Sequence, residues 1–239
     1  MFQGRRVSCV IPAFNESQSV GLVVRDFLAV PGDDGPALDE IIVCDNNSTD
    51  GTAEVARAAG ARVVSETRQG YGSACLKAIA ALSDECEIVL FADADRSDDP
   101  AETPLLLEAI TKGGADLVIG SRVLGRAERG ALTPQQEFGN RLAAFLIRLF
   151  WKHETTDLGP FRAITREALV RIGMRDPDYG WTVEMQVKAI QAGLRVVEVP
   201  ATYRKRIGQS KISGTLKGTV LAGYKILGTI GVLALRGRP

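Results

Sequence analysis

Apolar positions recur along this chain with two different periods, and each switch between them marks a new element. Val7-Ser8-Cys9-Val10-Ile11 is a short run of the kind that forms a buried strand. Val20, Val23, Val24, Phe27 and Leu28 follow at the spacing of one helical face. Asn15 and Gln18 are placed to form a reciprocal cap at the start of that helix. The pattern then repeats: a strand over Ile41 to Cys44, a helix from about Gly51, a strand over Arg62 to Val64, a helix through Ala74 to Leu82, and a strand over Ile88 to Phe91. Such alternation predicts parallel strands joined by crossover helices. After Leu117-Val118-Ile119-Gly120 it loosens into a basic loop, Arg122 to Arg129, and an amphipathic stretch, Arg141 to Trp151. A strand over Phe161 to Ile164, a helix through Val183 to Ile190 and a strand from Arg195 to Val199, stopped by Pro200, complete the pattern.

The expected fold class is therefore α/β, a single mostly parallel sheet flanked by helices, and a length of 239 residues suits one large domain. That domain is expected to occupy residues 1–212, with an apolar helix over 213–239. The apolar stretch from Gly218 to Leu235 is near the minimum of roughly 18 residues for a spanning helix. Lys225 interrupts it and several glycines dilute it. A helix lying on a membrane is expected, with a buried terminal helix as the alternative. The amino terminus lacks the apolar stretch and cleavage site of a signal peptide, so the expected location is the cytoplasm, peripheral to the inner face of the membrane.

Charge changes the picture by exclusion. Lys and Arg number 29, as do Asp and Glu, so no global field draws the chain to nucleic acid and any anion site must be a local cluster. Cys9, Cys44, Cys75 and Cys86 are widely spaced within apolar stretches, which fits neither a zinc site nor a disulfide framework. They read as small core residues.

In parallel sheets ligands sit beyond the carboxyl ends of the strands. Four consecutive strand ends here carry acidic, amide or glycine-rich segments: Asn15-Glu16, Asp45 to Asp50, Glu66 to Gly72, and Asp93 to Asp99. The sharpest is Asp93-Ala94-Asp95, two carboxylates that can reach one divalent cation while diphosphate oxygens complete its shell. Such a cation would neutralise charge on a departing diphosphate. The alternative is a solvated acidic turn, since Asp98, Asp99 and Pro100 follow. Asp45 can accept a base N–H, whereas Asp50 suits a helix cap. Gly70 and Gly72 would let backbone approach a ligand at a helix amino terminus that favours anions. The segment follows the third strand and lacks a third glycine, so it is no dinucleotide fingerprint. No Gly-rich loop ending in Lys-Ser or Lys-Thr is present, which disfavours a nucleotide triphosphatase.

Together these segments resemble glycosyltransferase family 2, with the GT-A fold, and within it the dolichyl-phosphate mannose synthase-like, polyprenyl-phosphate branch. The resemblance runs from about Val7 to Lys211. It rests on Val10-Ile11-Pro12-Ala13-Phe14-Asn15-Glu16, Asp45 to Thr52, Gly70 to Ala74, Asp93-Ala94-Asp95, Gly120-Ser121-Arg122, Gly139-Asn140 and Arg206 to Lys211. It implies a nucleoside pocket lined by Pro12, Phe14, Glu16 and Asp45, with Ala13, Gly70, Gly72, Asp93 and Ala94 completing the donor site. It further implies that Asp93 and Asp95 handle Mg²⁺ or Mn²⁺, and that Arg122, Arg204, Arg206, Ser210 and Lys211 face phosphate. The chain departs from the branch at Ser97, where glutamine is common, and in the spacing around Arg204 and Arg206.

The implied reaction is inverting transfer of a hexose from a nucleotide-diphosphate sugar, of the UDP-glucose or GDP-mannose type, to a polyprenyl or dolichyl phosphate. Asp95 and Arg122 would be central. A phosphate acceptor is already an anion and attacks without a general base; a hydroxyl acceptor needs one, for which Asp157 and Glu184 are the candidates. Each has a structural alternative, Asp157 as a turn acid and Glu184 as a first-turn helix residue. Two rival readings follow: transfer to a soluble hydroxyl compound, and a non-catalytic nucleotide-sugar or lipid-binding module. The basic set Arg122, Arg126, Arg129, Arg204, Lys205, Arg206 and Lys211 beside apolar stretches suits a lipid phosphate headgroup at a membrane.

Overall fold

Every side chain of β1 (Val7–Ala13) is buried, as befits a strand covered on both faces. It pairs in parallel with β2 (Glu40–Asp45) and β4 (Ile88–Phe91), and β3 (Arg62–Ser65) extends β2 in parallel. The helices α1 (Val20–Leu28), α2 (Thr52–Ala58) and α3 (Tyr71–Ile79) link these strands. The second half adds β5 (Leu117–Ala127), β6 (Arg162–Thr165) and β7 (Val196–Tyr203), giving one seven-stranded sheet in the order β3-β2-β1-β4-β6-β5-β7. Only β6 runs antiparallel to its neighbours. The computed structural model describes residues 1–208 and 216–236, with side chains in the last helix from 223 to 235.

One face of the sheet packs on α1, α2 and α4 (Thr103–Thr111) through residues such as Val24, Phe27, Leu106 and Leu107. Fully burying each such side chain contributes about 1.5–3 kcal/mol. The other face packs on α3, α6 (Arg166–Ile172) and α7 (Trp181–Gln191) through Cys75, Ala78, Leu169, Trp181 and Met185. A third cluster joins α5 (Pro134–Trp151), α7 and α8 (Leu216–Arg236), with Ala143, Ile147, Val183, Val187, Ile230 and Leu233 at its centre. Thr133 and Gln136 cap α5 reciprocally, and Pro134 at its first turn gives up no hydrogen bond.

Three local expectations are corrected. Asn15 and Gln18 do not box the start of α1: the cap is Ser19, and Asn15, at φ 54°, accepts from the Thr49 N–H instead. The stretch after Gly120 is not simply a loop. Arg122 to Ala127 continue β5, and Arg126 and Ala127 pair with Thr202 and Tyr203. Pro200 does not stop β7, because β7 is an edge strand and Pro200 lies opposite Ser121, where the ladder slips and no N–H is required. The helix α8 has one face packed on the domain through Ile226, Ile230 and Leu233, while Tyr224, Leu227, Val232 and Leu235 stay exposed. Among the described residues no helix is long and apolar enough to cross a membrane.

All four cysteines are free and buried. Burial raises the Cys44 thiol to about 12 and pushes Cys9, Cys75 and Cys86 upward as well, which leaves little thiolate at neutral pH. Intact-mass measurement after iodoacetamide treatment at pH 8 should find no adduct on the native chain and full alkylation after denaturation. Rapid alkylation of the native chain would contradict this core.

Candidate active site

The carboxyl ends of β1, β2 and β4 meet the amino terminus of α3 around a cavity of about 360 Å³. Pro12, in a central strand, is tolerated because β4 ends at Phe91 opposite Val10, so Pro12 lies beyond its ladder with β4. Pro12, Ala13, Phe14, Glu16, Gly70, Asp93, Ala94, Asp95 and Arg206 all line the cavity. The structure thus brings together most of the donor-site residues that the sequence pointed to. Asp45 sits at the adjoining end of β2, buried, with no hydrogen-bond partner for Oδ1 among the described residues. Asp50 is spent on structure, accepting from Thr52 N at the start of α2 and from Ser17 N.

Past β4 the chain folds back on itself. Asp93 N donates to Asp98 Oδ2 at 2.9 Å, Ser97 N donates to Asp95 Oδ1 at 2.9 Å, and Ile207 N donates to Asp95 O at 2.9 Å. Arg96, at φ 69°, makes the turn and anchors it to Asp26 at 3.0 Å. Asp98 is therefore a buried brace rather than a solvated turn acid. Burial, with the charge of Asp95 second, lifts the Asp93 carboxyl to about 7; burial and Asp93 push Asp98 well above the carboxylate range. The Arg206 guanidinium supplies positive charge, with Nη2 2.5 Å from Asp95 Oδ2 and 3.6 Å from Glu16 Oε1.

Among the described residues no group of three or more His, Cys, Asp or Glu side chains could hold a metal ion. Two crowded carboxylates nevertheless fit a hard divalent cation that takes its remaining ligands from diphosphate oxygens and water. Asp93 and Asp95 would hold it.

The glycine segment also has a packing reason for its composition. A Cβ on Gly70 would overlap the Pro177 carbonyl oxygen, and one on Gly72 the Asp176 carbonyl oxygen. Gly70 also takes φ 149°, which side-chain-bearing residues rarely adopt. Ser73 donates to Pro177 O from both N, at 2.8 Å, and Oγ, at 3.0 Å. Gly72 is buried and Gly70 faces the cavity, and both allow residues 176–178 to pack on this loop.

Arg122 stands outside this cavity, beside a second one of about 470 Å³ that Asn140, Arg141 and Thr156 also line. Its N, Nε and Nη2 reach Asp157 at 2.7, 2.8 and 2.6 Å, and its guanidinium lies 5.1 Å from the centre of the Tyr203 ring. Asp157 is wholly buried and also accepts from Leu158 N. Arg204 pairs with Asp99 at 2.5 Å, so of the two arginines only Arg206 lines the cavity at the strand ends. Glu184 is not brought to that cavity; its carboxylate accepts from Arg175 N and Asp176 N and pairs with Lys188. Ser210 and Lys211 lie outside the described residues.

Sequence reasoning passed over Asn46, Tyr71 and Tyr179. Asn46 donates to Glu66 O and Arg68 O and accepts from Gly70 N, shaping the loop ahead of α3. Tyr71 donates to Asp93 Oδ1 at 3.2 Å and lines the cavity, as does Tyr179. The first two lie inside segments already singled out; Tyr179 arrives from a distant loop with no local signal.

The family model described as "Glycosyl transferase family 2" matches residues 8–173. An uncharacterized glycosyltransferase of Mycobacterium tuberculosis is 38% identical over 92% of this chain and 95% of its own length. A dolichyl-phosphate hexose transferase of Haloferax volcanii is 32% identical over 90% of each. Among solved structures, glucosyl-3-phosphoglycerate synthase from Mycobacterium tuberculosis, in complex with Mn²⁺, uridine diphosphate and phosphoglyceric acid, is 26% identical with a TM-score of 0.78. The match covers 97% of this chain and 79% of that one. With the mostly parallel sheet, the acidic pair after β4 and these relatives in agreement, the chain belongs to glycosyltransferase family 2 and has the GT-A fold.

Proposed function

We propose that this chain transfers a hexose, with inversion, from a nucleotide-diphosphate sugar to the phosphate of a polyprenyl carrier. The observation that carries this reading is that neither candidate base is free. Asp157 is locked to Arg122, and Glu184 is bound to backbone N–H groups away from the donor cavity. An acceptor that is already an oxyanion needs no proton removed before attack. The dolichyl-phosphate hexose transferase among the relatives supports the same acceptor class.

In this reading Asp45 accepts from the nucleobase, and Pro12 to Phe14 and Gly70 border the nucleotide. Asp93 and Asp95 hold Mg²⁺ or Mn²⁺, which supplies neutralisation of the leaving diphosphate. Arg206, in contact with Asp95, adds positive charge to that field. Arg122, oriented by Asp157, presents the acceptor phosphate for in-line attack, because a guanidinium fixed by a carboxylate loses little freedom on binding.

A membrane setting is supported by α5 more than by α8. Phe138, Phe145, Leu149 and Phe150 are exposed along α5, with Arg141 and Arg148 between them. That pattern suits an interfacial helix at an anionic surface. The chain should float with phosphatidylglycerol-containing vesicles, and Phe145→Glu with Leu149→Glu should release it; equal flotation of that variant would contradict the assignment.

A second reading, a small phosphorylated hydroxyl acceptor, is favoured by the solved relative that carries phosphoglyceric acid. Incubating UDP-glucose or GDP-mannose and Mn²⁺ with either short-chain polyprenyl phosphate or 3-phosphoglycerate separates the two. Mass spectrometry should find a hexosyl polyprenyl phosphate; product from 3-phosphoglycerate alone would overturn the lipid reading. Asp95→Ala should lower turnover on the order of a hundredfold or more while the fold is retained, and a chelator should have the same effect. Asp157→Ala leaves Arg122 without its buried partner and should cost about 3–5 kcal/mol in denaturant unfolding. A stable Asp157→Ala chain that had lost one limb of its pH–rate profile would instead identify a general base.

A further inference from the structure

Residues 173–180 join α6 to α7 and touch three parts of the molecule at once. On one side Pro177 O receives both Ser73 bonds, and the Gly70 and Gly72 backbones press on residues 176–178. Tyr179 continues from that contact into the donor cavity. From beneath, the buried Glu184 carboxylate accepts from Arg175 N at 3.1 Å and from Asp176 N at 2.7 Å. On the far side α8 reaches in: Thr229 Oγ1 donates to Asp176 Oδ2 at 3.4 Å, and Lys225 Nζ lies 3.5 Å from Asp178 Oδ2. Gly180 is hemmed between Asp176 and Thr229, where a Cβ would overlap both. The loop thus has no slack between α8 and the donor site. A cavity of about 800 Å³ lies behind it, between α6, α7 and α8.

We propose that Glu184, Asp176 and Asp178 are positioning residues for the sugar-nucleotide donor. They transmit the seating of α8 through the 173–180 loop to Gly70-Tyr71-Gly72 and to Tyr179. Glu184 fixes the loop backbone and α8 fixes its acidic side chains, and the loop in turn fixes one side of the donor cavity. This rests on reading that cavity as the nucleotide site. Since small displacements of a binding wall are costly to a preorganised site, loosening the loop weakens the donor and spares the acceptor, whose candidate groups at Arg122 lie in a different cavity.

The test compares the full chain with Glu184→Gln, Asp178→Lys, and Asp178→Lys combined with Lys225→Asp. Calorimetry with UDP and with GDP in the presence of Mn²⁺ gives nucleotide affinity. Steady-state kinetics gives donor and acceptor KM separately, and thermal melting reports the fold. Glu184→Gln and Asp178→Lys should weaken nucleotide binding and raise donor KM by about tenfold, with acceptor KM unchanged. The combined exchange should restore the donor values. Unchanged nucleotide affinity in a folded Asp178→Lys chain, or parallel loss of donor and acceptor KM, would overturn the proposal. Should Glu184→Gln fail to fold, the partly exposed Asp178 and Lys225 pair decides. A wild-type chain that bound neither nucleotide would instead remove the reading of the cavity itself.

Discussion

The crowding of carboxylates after β4 is the constraint on which the site depends. Asp93, Asp95 and Asp98 fall within one turn of chain, two of them are raised by burial and mutual repulsion, and the turn persists because backbone N–H groups and Arg206 answer their charge. Such an arrangement costs stability unless opposing charge is supplied. Arg206 supplies it from the segment after β7, whose backbone is pinned to Asp95 O by Ile207 N. The last strand of the sheet is thereby tied to the acidic turn of the fourth, and the cavity at the strand ends is lined from both.

Arg122 and Asp157 form a second, separate electrostatic unit. Asp157 is fully buried, and the Thr155 hydroxyl and the backbone N–H groups of Thr156 and Asp157 are gathered by Glu198 on β7. Acid, arginine and strand form one braced assembly. Asp157 is thereby engaged by Arg122 and Leu158 N within that assembly. The assembly also leaves Arg122 in a fixed orientation next to a cavity distinct from the one that Asp93 and Arg206 line.

Much of the fold was legible because buried parallel strands and amphipathic crossovers carry strong periodic signals: Val7 to Ile11, Ile41 to Cys44 and Ile88 to Phe91 emerged nearly as read. Pattern failed where tertiary context decides. Pro200 reads as a stop unless the strand is known to be an edge, and Arg122 to Ala127 read as a loop because their partner, β7, lies some 75 residues on. Within the site, residues next to strand ends were visible, whereas Tyr179 was not, being placed by long-range packing of the 173–180 loop. Gly70 and Gly72 were singled out by sequence, but the packing of residues 176–178 against them was not: sequence shows that something must come close, not what.

The central claim is that Asp93 and Asp95 converge on one divalent cation shared with a nucleoside diphosphate. Anomalous diffraction from crystals soaked with Mn²⁺ together with UDP or GDP addresses it directly. The account predicts a single strong peak between those two carboxylates and the diphosphate. Bound nucleotide with no peak there, or manganese held elsewhere, would contradict it.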